Sequence, residues 1–164
     1  MLNKKIILGI DPGLVKTGWG IIQKNGYNSK YIDCGVIKTD SSQKMGLRLN
    51  HIYDSICDLI SSFKADFVAM EEVFVNTNAK TSEKLIMART AAFLAISKSG
   101  FDVNSFKPNE IKKNITGSGH APKEQVQFMV KKLLNINITI DNFHTLDSMD
   151  ALAVALCYAF SLSN

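Results

Sequence analysis

Short apolar runs near the start of the chain predict three consecutive strands. Residues 6–10 form a continuous apolar run followed by Asp11-Pro12-Gly13, as expected of a buried strand that ends at a tight turn. Residues 17–23 and 30–38 are rich in β-forming side chains and are separated by Asn25-Gly26, which favours a hairpin. The first three strands are therefore expected to be mostly antiparallel.

Apolar positions spaced three and four residues apart predict helices in the rest of the chain. The clearest series has the spacing of one face of an amphipathic helix and comprises Met45, Leu49, Ile52, Ile56, Leu59 and Phe63. Similar patterns cover 79–97, a segment that begins at Pro122 or Lys123, and 146–160. Apolar runs at 67–70 and 103–106 predict two further strands.

The order of these elements predicts an α/β fold in which helices cover both faces of one five-stranded mixed sheet. Sheets of this kind usually carry their sites at strand ends. With 164 residues, 46% of them hydrophobic, the chain is expected to be a single domain over 1–164. No apolar run approaches the ~20 residues that span a bilayer, and the start lacks the apolar core of a signal peptide. The chain has three widely spaced cysteines, Cys34, Cys57 and Cys157. Their number and spacing suit reduced thiols, so a cytoplasmic location is expected.

Positive charge is concentrated in one stretch of the chain. The formal net charge is +4, and the residues from Lys107 to Lys132 include six lysines and two glutamates, so this stretch alone accounts for it. Two interpretations are open from charge alone. The stretch is either a solvated lysine-rich surface or a face that binds phosphates.

Four carboxylates stand where apolar surroundings are expected. Asp11 follows the first predicted strand and Glu71 follows the fourth. Asp147 and Asp150 are three residues apart in the last predicted helix, so both project from the same side. Each acid alone has a structural explanation, because Asp11 favours a turn and Asp147 suits a helix N-terminus.

Convergence of these acids would require a cation. Two ionised carboxylates ~4 Å apart repel by about 4 kcal/mol at an effective dielectric near 20. Mg²⁺ suits such a group because it prefers oxygen ligands, whereas zinc fits poorly with scattered cysteines and histidines. Two such ions ~4 Å apart activate water on one side of a phosphodiester and stabilise the leaving oxygen on the other.

Three motifs that contain these acids resemble, in the same order, those of the RuvC-type Holliday-junction endodeoxyribonucleases of the ribonuclease-H-like superfamily. They are Gly9-Ile10-Asp11-Pro12-Gly13 with Thr17-Gly18-Trp19-Gly20, then Ala69-Met70-Glu71-Glu72-Val73-Phe74, and finally Asp147-Ser148-Met149-Asp150-Ala151-Leu152-Ala153. The resemblance covers nearly the whole chain. It implies a ribonuclease-H-like fold and makes Asp11, Glu71, Asp147 and Asp150 the catalytic ligands of one or two Mg²⁺ ions, for which Mn²⁺ can substitute.

A basic, glycine-containing segment also resembles the DNA-contact region of that family. It comprises Ile111-Lys112-Lys113 and the run from Gly117 to Val126. The resemblance makes Lys112 and Lys123, and with them Lys113, contacts to DNA phosphates. It also matches Phe74 to an aromatic residue that stacks on bases at the junction centre, where the alternative is a core phenylalanine.

The resemblance further implies that the protein acts on four-way junction DNA as a two-fold dimer, together with motor proteins that move the junction. Symmetric hydrolysis of two strands would leave 5′-phosphate and 3′-hydroxyl ends. Arg89 lies in a helix that is expected either to pack, to form the dimer face or to turn toward DNA. His144 is expected to be a capping or surface residue. The segment Leu14-Val15-Lys16 and the choice of Asp147 vary in the family, so the preferred cutting sequence stays open.

Three alternative functions remain open at this point. An actin-like ATPase or phosphotransferase would share the turn that contains Asp11, but such enzymes commonly need two lobes. A non-catalytic junction-binding module would not need all four acids. A nuclease of the same fold acting on the RNA strand of a hybrid is the third alternative.

Overall fold

The computed structural model describes residues 4–73, 79–136 and 146–162, and within them a single five-stranded sheet. The strands are β1 (Lys5–Asp11), β2 (Lys16–Asn25), β3 (Asn28–Lys38), β4 (Phe67–Glu71) and β5 (Asn104–Phe106). Their order is β3-β2-β1-β4-β5, with β1, β2 and β3 antiparallel and with β4 parallel to both β1 and β5. The predicted five-stranded mixed sheet is confirmed.

Five helices accompany the sheet in the described ranges. They are α1 (Met45–Phe63), α2 (Ala79–Lys98), α3 (Pro108–Thr116), α4 (Lys123–Leu133) and α5 (Leu146–Ser161). Four of them were predicted to within a residue or two at their ends. No helix in the described ranges has both the length and the apolar character to cross a membrane.

Helix α3 is the element that apolar spacing did not predict. It has only nine residues, so its buried pair, Ile111 and Ile115, is too short a series to show helical periodicity. Its ends nevertheless carry recognisable signals. Pro108 occupies the first turn, and Gly117, with φ of 84°, closes the helix in the left-handed conformation that glycine adopts without strain.

Two hydrophobic cores lie on opposite faces of the sheet. Leu8, Ile10 and Ile21 pack on one face against α1 and α2. Ile7 and Ile22 pack on the other face, against α3, α4 and α5. Because neighbouring residues of a strand point to opposite faces, the continuous apolar run of β1 supplies both cores. The predicted cover of helices on both faces is confirmed.

Helix α5 lies so close to the sheet that two strand positions have no room for a side chain. A Cβ atom on Gly9 would collide with the carbonyl oxygen of Ala151 and with the backbone nitrogen of Ala155. A Cβ atom on Gly18 would collide with the carbonyl oxygen of Asp147. The glycines of β1 and β2 therefore fix the height of α5 above the sheet, including that of its first turn.

We expect Gly9→Ala to lower the free energy of unfolding by about 2–3 kcal/mol, because the new methyl group meets backbone atoms of α5 that cannot rotate away. Gly46→Ala is the matched control, since a Cβ atom there meets nothing within 4 Å and α1 gains up to about 1 kcal/mol in helix propensity. Urea unfolding followed by circular dichroism measures both. Equal stability of the two variants would contradict this account of α5.

Candidate active site

Asp11 and Glu71 lie side by side at the ends of two parallel strands. Ile10 of β1 is in register with Met70 of β4, and the next residue of each strand is the acid. Ile10 and Met70 belong to the core under α1 and α2. The acids, one position further, therefore project on the opposite face, toward α5.

Helix α5 adds Asp147 and Asp150 to the same edge of the sheet. Asp11 is paired with Gly18 across the β1–β2 ladder, and Gly18 is the glycine on which the first turn of α5 rests at Asp147. Residues that are directly opposite in an antiparallel pair share one face of the sheet. The close approach of α5 therefore brings Asp147 next to Asp11.

Asp150 and Glu71 line a cleft of about 200 Å³, which we call the acidic cleft. Its other walls come from α3 and α4 and include Pro108, Ile111, Lys112, Lys123 and Val126. Two acids and two lysines thus face the same small volume. Helix α3, which apolar spacing did not predict, supplies one wall of the cleft. It therefore contributes to the site as well as to the core.

The carboxyl groups influence one another's ionisation. Burial, followed in importance by the charges of Glu71, Asp150 and Asp147, raises the pKa of Asp11 from 3.8 to about 8. Burial, together with the charge of Asp150, raises the pKa of Glu71 from 4.5 to about 7. All four predicted acids therefore share one electrostatic environment at the ends of β1 and β4.

Lys123 places a positive charge among these acids. Its Nζ atom lies 2.6 Å from Oδ2 of Asp150. Burial opposes the charged form of Lys123, but the hydrogen bond with Asp150 and the charges of Asp11 and Asp147 raise its pKa. Burial raises the pKa of Asp150 as well, and the bond with Lys123 offsets part of that rise. The sequence predicted Lys123 as a contact to DNA and did not reveal this ion pair.

The acids are gathered but do not form a closed metal cage. Within residues 4–73, 79–136 and 146–162, no three carboxylate, histidine or cysteine side chains are close enough together to be recognised as a metal-binding group. The ammonium group of Lys123 holds Asp150. The donor set, which consists of carboxylate oxygens alone, is the kind that Mg²⁺ and Mn²⁺ prefer.

The remaining predicted site residues lie in different surroundings. Lys112 lines the acidic cleft. Its neighbour in α3, Lys113, is exposed to solvent and does not line the cleft. Arg89 of α2 donates a hydrogen bond of 3.3 Å to Oγ of Ser105, which is paired with the residue before Glu71. Phe74 and His144 lie outside the described residues.

This sheet order, with acids from β1, β4 and the last helix beside lysines of α3 and α4, defines a nuclease of the ribonuclease-H-like class. A family model described as "Crossover junction endodeoxyribonuclease RuvC" matches residues 7–158. The chain belongs to that family. The family consists of metal-dependent nucleases that cut DNA by hydrolysis.

Individual relatives are similar over nearly their whole length. The crossover junction endodeoxyribonuclease RuvC of Orientia tsutsugamushi is 49% identical over 150 residues, which are 92% of each chain. That of Ehrlichia canis is 42% identical over 158 residues, covering 96% of this chain and 98% of the relative. Among solved structures, T. thermophilus RuvC in complex with Holliday junction substrate superposes with a TM-score of 0.87 at 28% identity, covering 96% of this chain and 94% of the other.

The raised pKa values of Asp11 and Glu71 predict how the stability of the metal-free protein depends on pH. Folding raises both pKa values, to about 8 and about 7, so the folded state retains protons that the unfolded state has already released. The stabilisation from these groups is therefore complete below about pH 4 and is lost as the pH rises toward about 8.

We expect the melting temperature in EDTA to fall as the pH is raised from about 5 to about 8. The variant Asp11→Asn removes the group with the larger shift, so its melting temperature should fall less over the same range. Differential scanning calorimetry of both proteins measures the difference. Parallel curves would show that Asp11 does not titrate in this window.

Proposed function

We propose that this chain resolves four-way DNA junctions by metal-dependent hydrolysis of two strands of like polarity. Membership of the family supports the reaction, and the similarity to T. thermophilus RuvC solved with a Holliday junction substrate supports the choice of DNA. One observation carries the proposal for this chain itself. Acids from β1, β4 and α5 share a single site whose cleft also contains Lys112 and Lys123.

We propose that Asp11, Glu71, Asp147 and Asp150 hold one or two Mg²⁺ ions, which Mn²⁺ can replace. Their oxygen-only donor set fits these hard cations, and the charges of Glu71, Asp150 and Asp147 add to the effect of burial in raising the pKa of Asp11. When bound, the metal acts as a Lewis acid, which activates water and offsets the negative charge that develops on the phosphate. Asp11 and Glu71 would hold the ion as carboxylates, having released their protons to water, and their buried setting would strengthen the attraction.

The two lysines of the cleft are proposed to bind the DNA backbone beside the cut phosphate. Lys112 and Lys123 project from different helices into the cleft that contains Glu71 and Asp150. Their charge also limits how much negative charge the acids bring to an anionic substrate. Lys113, Arg89 and Phe74 stay predictions as DNA contacts. Lys113 is well exposed for such a role, whereas Arg89 already donates to Ser105.

Symmetric cutting requires two active sites, and α2 offers a surface for a second copy of the chain. Ile86, Phe93 and Leu94 are 44%, 42% and 55% exposed and are seven and eight residues apart, which places them on one side of α2. We propose that this apolar side forms part of a two-fold dimer interface. Motor partners and a cytoplasmic location stay predictions of the sequence.

We expect Asp11→Asn to abolish junction cutting while leaving junction binding close to that of the parent. The substitution removes a ligand at the end of β1, and losing several kcal/mol of charge stabilisation corresponds to a rate at least roughly 10³-fold lower. The assay compares cutting of a synthetic four-way junction, a linear duplex and an RNA–DNA hybrid, with and without Mg²⁺.

Asp58→Asn is the matched control for Asp11→Asn, because Asp58 is an exposed acid of α1 on the other face of the sheet. It should cut like the parent. Normal cutting by Asp11→Asn would refute the ligand assignment. Preference for the hybrid over the junction would instead favour the alternative of an RNA-strand nuclease.

We expect Lys123→Gln to bind Mn²⁺ more tightly than the parent in the absence of DNA, by about threefold to tenfold. A metal ion must displace the ammonium group that lies 2.6 Å from Asp150, and the neutral side chain removes that competition. Titration calorimetry with MnCl₂ measures the affinity. Lys113→Gln is the control, since it removes a positive charge from the same region outside the cleft. Equal affinities for the two variants would contradict the displacement.

A further inference from the structure

A second cleft with basic walls opens on the other face of the sheet, under α1 and α2. It has a volume of about 350 Å³, and we call it the cationic groove. Its lining includes Leu14, Val15, Ser41, Arg48, Lys80 and Lys84. Three of these carry positive charge, and none of the residues that line it is acidic. The groove is separate from the acidic cleft, which shares no lining residue with it.

Arg48 is the unusual member of the groove, because it is a charged side chain that is only 7% exposed. Its Nε atom donates to Oγ1 of Thr39 at 2.9 Å, and a terminal nitrogen lies 3.4 Å from the carbonyl oxygen of Leu14. These two bonds hold the guanidinium in place, and a guanidinium has five N–H donors in all. No carboxylate of the described residues forms an ion pair with it. A buried cation without a carboxylate partner is stabilised when an anion binds beside it.

The neighbouring charges favour an anion as well. Lys80 and Lys84 are four residues apart and exposed, so they lie on one side of α2 and repel each other. Two acids that adjoin lining residues of the groove in sequence, Asp40 and Glu83, are exposed. Asp40 has a pKa that is lowered chiefly by its hydrogen bonds with Ser42 and to a lesser extent by Arg48, and Glu83 lies beside Lys84 in α2. Neither of these acids lines the groove.

The groove opens at the same edge of the sheet as the acids. Leu14 follows Asp11 by three residues, so their Cα atoms are at most about 11 Å apart. One strand of duplex DNA has a phosphate about every 3.4 Å along its axis. A strand cut beside Asp11 would therefore bring a phosphate level with the Leu14 side of the groove within about three nucleotides.

We propose that the cationic groove binds a backbone phosphate of the junction DNA, on the side of the cut site away from Lys112 and Lys123. This inference rests on the proposed function. Lys80 and Lys84 contact the phosphate from α2, and Arg48 supplies the fixed charge at the base of the groove. The cut strand is then held on both sides of the acids, on one side by the lysines of the acidic cleft and on the other by the cationic groove. Its position relative to Asp11 is thereby fixed at two points.

The test compares the variant Lys80→Ala/Lys84→Ala with the control Lys30→Ala/Lys98→Ala. Both remove two exposed lysines, but Lys30 lies near the start of β3 and Lys98 at the far end of α2. Binding to a synthetic four-way junction is measured by fluorescence anisotropy in EDTA, which keeps the DNA whole, over a series of salt concentrations. Thermal unfolding of each protein checks that all of them are folded.

We expect the groove variant to bind the junction about tenfold more weakly than the control at about 0.1 M salt. The slope of log K against log salt should be shallower by about one, since the loss of one phosphate contact removes about 0.9. If the two variants have equal affinities and slopes, or if the groove variant binds weakly with an unchanged slope, the groove does not hold a phosphate. If the parent neither binds nor cuts the junction, the proposed function fails and the groove assignment fails with it.

Discussion

The close contact between α5 and the glycines of β1 and β2 determines where the functional groups lie. The backbone of α5 packs against Gly9 at Ala151 and Ala155 and against Gly18 at Asp147. Side chains at these positions would push the helix outward by the thickness of a methyl group or more. Asp147 and Asp150 would then leave the strand ends that carry Asp11 and Glu71, so an interaction made only of backbone and small side chains determines the geometry of a charged site.

Gathering the acids has an electrostatic cost that the rest of the site offsets. Burial and mutual repulsion raise the pKa of Asp11 to about 8, which means that near neutral pH the site retains a proton. Lys123 of α4 forms an ion pair with Asp150, and the positive charge of Lys112 in α3 acts to lower the pKa of Glu71. These helices belong to the same core as α5, so the hydrophobic packing on that face also holds the lysines close to the acids. A divalent cation would take over the role that the proton and Lys123 fill without it.

Much of this arrangement was predictable because the relevant signals are local. The apolar run before Asp11, the run before Glu71 and the helical spacing around Asp147 and Asp150 identify two strand ends and one helix side. The ion pair between Lys123 and Asp150 was not predictable, since it joins two helices that are distant in sequence. Helix α3 was missed because nine residues give too few apolar positions, although Pro108 and Gly117 mark its ends. The cationic groove depends on the burial of Arg48, which lies four residues before Ile52 on the buried side of α1, but that spacing does not show which residues of other elements surround it.

The most direct test of the shared site is paramagnetic broadening of backbone amide resonances by Mn²⁺, measured by nuclear magnetic resonance at substoichiometric metal. The account predicts that signals from the ends of β1 and β4 and from the first turns of α5 broaden together at the lowest metal concentrations. Broadening confined to one of these three segments, or strongest around exposed acids such as Asp54 and Asp58 of α1, would show that the four acids do not hold a common cation.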